Sequence, residues 1–272
     1  MERIVDSHAH VFCGPELPLS DKRLYTPEPC QAGRVEDFAA VLDSHGVTHG
    51  LIVGAQPYHT DNRCLLRAIE AGRGRFKGIA LVDGDTPMRE LETLKAAGVV
   101  GFRINLSWEG QRALNEPGSE RLFAQARELG WFVQVHCERE EFAQVAPILR
   151  ARKVRVMIDH HGRPDPDLGI GQPGFQAILN FGRETNAVCK LSGPFRTSKA
   201  GAPYRDVDPF AAAIVDAFTL DRCVWGSDWP FVCVDKRVDY GPQFAALKRW
   251  LPDPKDREKV LWSTPARLFG FA

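Results

Sequence analysis

The chain has 272 residues, 44% hydrophobic and 26% charged, with 35 basic side chains against 35 acidic ones. That length buries a sizeable core, and α/β barrels commonly reach it as one unit. A formal net charge of zero excludes the broad attraction that nucleic acid or an anionic membrane exerts, so any anion must be held by a few placed arginines.

Ile4-Val5 leads into a first strand that ends in Asp6-Ser7-His8-Ala9-His10. Residues two apart on a strand share a face, so His8 and His10 converge and can bind a cation or grip an oxygen. The stretch 11–33, with Pro at 15, 18, 27 and 29, is too long for a plain connection. Loops of that length serve as lids or binding loops, and this one carries Arg23 and Tyr25. A helix is predicted over 35–45, with Phe38, Val41 and Leu42 on one face and Gly46 as its stop. Strands are then predicted over 50–54, 77–82, 99–105, 131–136, 154–160, 187–192 and 223–228. Helices are predicted between them over 61–71, 88–97, 119–129, 140–150, 175–185 and 209–218, with 242–250 and 256–269 closing the chain.

Eight short apolar strands, each followed by a helix, predict a parallel sheet covered on both faces: a (β/α)8 TIM barrel forming a single domain over 1–272. The alternative is an open doubly wound sheet, but no G-x-G-x-x-G follows the first strand. The seven cysteines form no C-x-x-C pair, and several sit in apolar runs, as in Val188-Cys189 and Cys223-Val224. With no apolar leader at the amino end, these features predict a reducing cytoplasm.

Barrel chemistry sits at the C-terminal mouth. Polar residues recur there: His8 and His10, Arg103 and Asn105, His136, Asp159-His160-His161, Lys190 and Ser192 with Arg196 just beyond, and Ser227-Asp228. Asp228, in Trp225-Gly226-Ser227-Asp228-Trp229-Pro230, is the carboxylate predicted to ligate a metal or take a proton from water. Its alternative role is capping nearby backbone amides. Arg103 is costly to bury without an anion, either a substrate carboxylate or a structural acid such as Asp83. Arg196 is similar but lies in a loop, while Phe123, Phe142 and Trp250 fall at helical spacing and read as core.

With these residues in view, the chain resembles the amidohydrolase superfamily, and within it the 2-pyrone-4,6-dicarboxylate lactonase branch. The resemblance rests on Asp6-Ser7-His8-Ala9-His10-Val11-Phe12, Tyr25-Thr26-Pro27, Thr60-Asp61-Asn62, Gly101-Phe102-Arg103-Ile104-Asn105 and Ile158-Asp159-His160-His161-Gly162-Arg163-Pro164. It continues through Gly171-Gln172-Pro173-Gly174-Phe175, Lys190-Leu191-Ser192-Gly193, the Trp225–Pro230 run and Arg267-Leu268-Phe269-Gly270-Phe271. It implies a distorted barrel that hydrolyses a lactone without an obligatory metal. Asp228 would activate water, with His8, His10 and His160 around the carbonyl. Arg103, Arg196, Tyr25, His136 and Lys190 would bind a small carboxylated lactone. It also implies a place in aromatic degradation. The chain departs from the pattern at His136, where an aromatic is usual, at Phe231 after Asp-Trp-Pro, where a His is often found, and at Ser107-Trp108-Glu109, where a second arginine is not clearly matched and Arg112 is a candidate substitute.

A second reading is a decarboxylase or amide hydrolase holding one zinc through His8, His10, His136 and Asp228, with His160 moving protons. A third is a non-catalytic carboxylate sensor. Nucleic acid and membrane are not expected partners, and the chain is expected as a monomer or homodimer.

Overall fold

A computed structural model describes residues 2–272. Eight strands form one parallel sheet in chain order: β1 (Val5–Ala9), β2 (His49–Val53), β3 (Phe76–Ala80), β4 (Val99–Asn105), β5 (Phe132–His136), β6 (Arg155–Ile158), β7 (Val188–Ser192) and β8 (Cys223–Gly226). The strands are short and mostly buried because both faces of the sheet are covered. Val5, Leu51, Val53, Ile79, Phe132, Met157, Val188 and Val224 fill the barrel interior, which Phe269 and Phe271 close from below. The larger apolar layer lies between sheet and helices, and the fully buried Phe123 and Phe142 belong to it as expected. Trp250 is only partly buried and packs at its margin.

The main helices are α1 (Val35–Ser44), α2 (Arg63–Ala71), α3 (Met88–Ala96), α4 (Ser119–Leu129), α5 (Glu141–Ala151), α6 (Pro173–Glu184), α7 (Asp208–Phe218), α8 (Tyr240–Trp250) and α9 (Thr264–Phe269). The predicted 256–269 helix is instead a short helix, Pro254–Glu258, one wide turn over Lys259–Ser263, and α9. Short helices at Leu106–Glu109, Arg112–Asn115 and Pro194–Thr197 were not foreseen, since four residues are too few to show a period.

The barrel is distorted where it closes. Between β8 and β1 the Asp228 amide donates to His8 O at 2.8 Å and the His10 amide to Trp229 O at 2.7 Å, beyond the end of β8 proper. Asp6 ties the same seam from the helix side: its Oδ1 accepts from the amides of Ser227 (2.8 Å) and His8 (3.2 Å), and its Oδ2 from the Tyr240 hydroxyl (3.0 Å). Burial pushes the Asp6 carboxyl up to about 6 against those bonds. Gly226 makes the close approach possible, because a Cβ there would lie 2.7 Å from the His8 amide nitrogen.

Candidate active site

Two strands end earlier than their apolar runs predict. β6 stops at Ile158 and β8 at Gly226, and the next residues turn through left-handed backbone: His160 (φ 50°), His161 (φ 56°) and Asp228 (φ 64°). The turns carry His160 and Asp228 over the barrel mouth toward the strand-1 histidines. Gly193 makes room for them, since a Cβ on it would sit 2.8 Å from His160 Nδ1.

The centre is Asp228, nearly fully buried. Its Oδ1 lies 3.7 Å from both His8 Nε2 and His10 Nε2, and its Oδ2 lies 3.7 Å from His160 Nε2. Arg196 Nε donates to that same Oδ2, and its other branch donates to Val232 O at 3.2 Å. Burial would raise the Asp228 carboxyl, but the Arg196 charge and the imidazoles outweigh it and hold the group well below the usual carboxylate range. Capping of the local amides falls instead to Ser227, whose Oγ accepts from the Trp229 amide at 3.0 Å.

The imidazoles are neutral. Burial and the Lys190 charge lower His8 to about 4. Burial, with His8 and Arg103, lowers His10 to about 3, and burial holds His160 well below its ordinary value. His10 Nδ1 donates to Val53 O at 2.9 Å, and His160 Nδ1 meets Ser192 Oγ at 2.8 Å.

Lys190 is placed differently from the substrate contact expected of it. Its ammonium is fully buried behind His8, donating to Gln134 Oε1 (2.8 Å) and His8 Nδ1 (3.1 Å), with Asp159 Oδ1 at 3.3 Å. Arg103 meets Asp159 Oδ2 at 3.2 Å, so its carboxylate partner is Asp159 rather than Asp83. Burial lowers Lys190 to about 8 against the pull of Asp159, and the cations Lys190 and Arg103 keep Asp159 ionised despite its burial.

His136 donates from Nδ1 to Asn105 Oδ1 at 3.1 Å and accepts at Nε2 from Arg163 at 3.4 Å. Arg163 also pairs with Glu138, and its Nε is buried with no partner. As a site residue Arg163 escaped the sequence reading, although its charge at the end of the Ile158–Pro164 run was the available signal. Tyr25 comes in from the long loop and meets Trp108 edge-on, 5.3 Å between ring centres, near Arg103, Arg196 and Asp228. Arg112 is neutralised by Glu109 and Glu116, both at 2.9 Å, but lines the cleft beside Arg103.

His8, His10 and Asp228 bring ligand atoms together, as do His8, Asp159 and His160; among the described residues His136 joins neither group, so the four-ligand set of the alternative zinc reading is not assembled. Two imidazoles and a carboxylate are the donor types zinc takes. The surroundings do not favour it, however: Lys190 Nζ lies 3.1 Å from His8 Nδ1, and a neutral His8 that accepts there carries its hydrogen on Nε2, where a metal needs a lone pair. Arg196 already occupies the other oxygen of Asp228.

A nearly closed parallel barrel with a carboxylate and imidazoles gathered at its C-terminal mouth defines an α/β-barrel protein with a candidate active site on its strand ends. The amidohydrolase family description matches residues 5–271, and the chain belongs to that family. It is 32% identical to a 4-sulfomuconolactone hydrolase of Rhizobium radiobacter, over 97% of this chain and 89% of that protein. It is 33% identical to a 2-pyrone-4,6-dicarboxylate hydrolase of Comamonas testosteroni, over 97% and 89%. A crystal structure from Acinetobacter baumannii, described as a probable 2-pyrone-4,6-dicarboxylic acid hydrolase with citric acid bound, superposes with a TM-score of 0.89 at 32% identity, over the whole of both chains.

Proposed function

We propose that the protein is a lactonase that hydrolyses a small anionic lactone of the pyrone-carboxylate or muconolactone type. The observation that carries this reading is an ionised carboxylate, Asp228, set among neutral imidazoles and beside arginines. Arg103, Arg163 and Arg196 come to the mouth from three different elements and give an anion several guanidiniums to meet. The relatives named for sulfonated and carboxylated lactones support the same class.

In this reading Arg196, Arg103, Arg163 and Tyr25 orient the acid groups of the substrate. Asp228 takes a proton from a water whose oxygen bonds to the lactone carbonyl carbon. His160 donates from Nε2 to the developing oxyanion, and His8 redirects to it the Nε2 proton that points at His10 Nε2, 3.2 Å away, in the free site, which leaves His10 Nε2 open. His10, its proton committed to Val53, accepts at Nε2 and holds the water rather than the oxyanion. The acyl carbon–ring oxygen bond then breaks, and the leaving oxygen takes the proton from Asp228. The products are a new carboxylate and a hydroxyl or enol group.

The test is a panel of carboxylated, sulfonated and unsubstituted lactones, with Asp228→Asn as control. Turnover confined to the anionic lactones and lost by about 1000-fold in Asp228→Asn supports the reading. Wild-type turnover in Asp228→Asn overturns the assignment of the base. The convergence of His8, His10 and Asp228 favours one second reading, a zinc-dependent amide hydrolase or decarboxylase. Stoichiometric zinc with chelator-sensitive turnover would establish that one instead. The seven free thiols support a reducing compartment such as the cytoplasm. Among the described residues no helix is long and apolar enough to cross a membrane.

A further inference from the structure

We propose that Lys190 is a positioning residue that fixes the His8 proton on Nε2, making the His8–His10–Asp228 cluster a hydrogen-bonding site and keeping divalent cations out of it.

The ammonium of Lys190 is fully buried, and three acceptors surround it: Gln134 Oε1 at 2.8 Å, His8 Nδ1 at 3.1 Å and Asp159 Oδ1 at 3.3 Å. An ammonium has three protons and no lone pair, so His8 Nδ1 can only accept from it. A neutral imidazole has one proton, which then sits on Nε2 and faces His10 Nε2 at 3.2 Å. At the far end, Val53 O can only accept, so the His10 proton sits on Nδ1 and its Nε2 is free to receive. The row Lys190–His8–His10–Val53 thus has a donor and an acceptor at every link, all in one direction.

Reversing it has a visible obstacle. A metal on His8 Nε2 requires the proton on Nδ1, pointed at an ammonium 3.1 Å away. Among the described residues the acceptor left for it is Asp159 Oδ1, 3.3 Å from Nδ1 and also 3.3 Å from the Lys190 ammonium. Removing the ammonium opens that route: Nδ1–H turns to Asp159, the arrangement in which histidine ligates metals. Charge acts in the same sense, since a divalent ion would sit among Lys190, Arg103 and Arg196 with only Asp159 and Asp228 between them.

The experiment measures zinc affinity at pH 7 by competition with a chromophoric chelator, on chelator-stripped wild type, Lys190→Met and Lys190→Arg. The expected result is weak binding in wild type and Lys190→Arg, and binding at least about tenfold tighter in Lys190→Met, in line with the usual cost of altering a metal ligand's outer partner. Equal affinity in wild type and Lys190→Met, or tight binding by wild type, overturns the proposal. A second measurement needs no variant of Lys190. Long-range nitrogen–proton NMR of histidine-labelled wild type should show His8 protonated on Nε2, its signals assigned by their loss in His8→Gln. Protonation on Nδ1 overturns the proposal even if Lys190→Met does not fold. Neither measurement reads turnover, so a failure of the lactonase reading shows up separately.

Discussion

Arg196 donates to the same carboxylate, Asp228, that faces the three imidazoles. In the proposed lactonase one guanidinium would then serve both the base and the substrate's acid group. While paired to Arg196, Asp228 is a weak base. A substrate carboxylate that draws Arg196 away raises the basicity of Asp228 at the moment water is to be deprotonated. Binding of the acid group and activation of the base are then linked.

Arg196→Gln breaks that link. We expect kcat/KM for carboxylated lactones to fall by about 100-fold, because a charge-assisted bond to substrate is lost. The pH profile should move as well. Asp228 is held below the usual carboxylate range chiefly by Arg196, so without it burial raises the group and the acid limb shifts to higher pH. An acid limb unchanged in a pH–rate profile of Arg196→Gln would detach Arg196 from the base.

His136 stands between Asn105 and Arg163, outside both convergent ligand groups. Its loss should therefore act on substrate binding. His136→Phe frees Arg163 and removes an acceptor from the pocket wall. We expect KM to rise about tenfold with kcat changed little, the pattern of binding shared by ground and transition states. A parallel fall of kcat and zinc content would instead make His136 a ligand.

The barrel could be read from eight apolar runs alternating with amphipathic ones, since each strand is buried on both faces. The strand-end residues His8, His10, His136, His160 and Asp228 could be read as well, because barrel chemistry collects at those ends. Their separate directions could not. His160 and His161 are neighbours in one run, yet successive left-handed residues send His160 to Asp228 and His161 away from it, edge-on to Trp250 at 5.3 Å. The buried place of Lys190 and the pairing of Arg103 with Asp159 were equally hidden, because both depend on contacts across strands. Period-2 alternation gives the face of a side chain but not its depth along the barrel axis.

Gly226 shows how little room the β8–β1 seam leaves. Gly226→Ala places a Cβ 2.6 Å from the His8 Cβ and 2.7 Å from its amide nitrogen, and backbone cannot yield as a flexible side chain can. The expected cost is about 1–3 kcal/mol of stability from overpacking. Turnover should fall further than stability explains, because His8 and Asp228 hang on the two strands being forced apart. Thermal melts and kinetics on Gly226→Ala check both, and a variant with wild-type kcat would show that the site tolerates a wider seam.

His161 makes the acid side of the stability curve testable away from the chemistry. It is fully buried, neither ring nitrogen has a hydrogen-bond partner among the described residues, and burial lowers it to about 3. The unfolded chain titrates this group near its ordinary value of 6.5, so between about 3 and 6.5 the unfolded state binds more protons than the folded one. Stability from keeping His161 neutral is therefore fully present above pH 6.5 and is lost as pH falls toward 3. His161→Leu removes both that loss and the cost of two unpaired nitrogens. A stability change of 1 kcal/mol moves Tm by about 2–4 °C in a chain of roughly this size. We expect His161→Leu to gain several degrees over wild type at pH 5 and less at pH 8, with the barrel mouth undisturbed. Thermal melts at the two pH values decide it: an equal shift at both, or a loss at pH 5, would mean that His161 is held by something other than apolar burial.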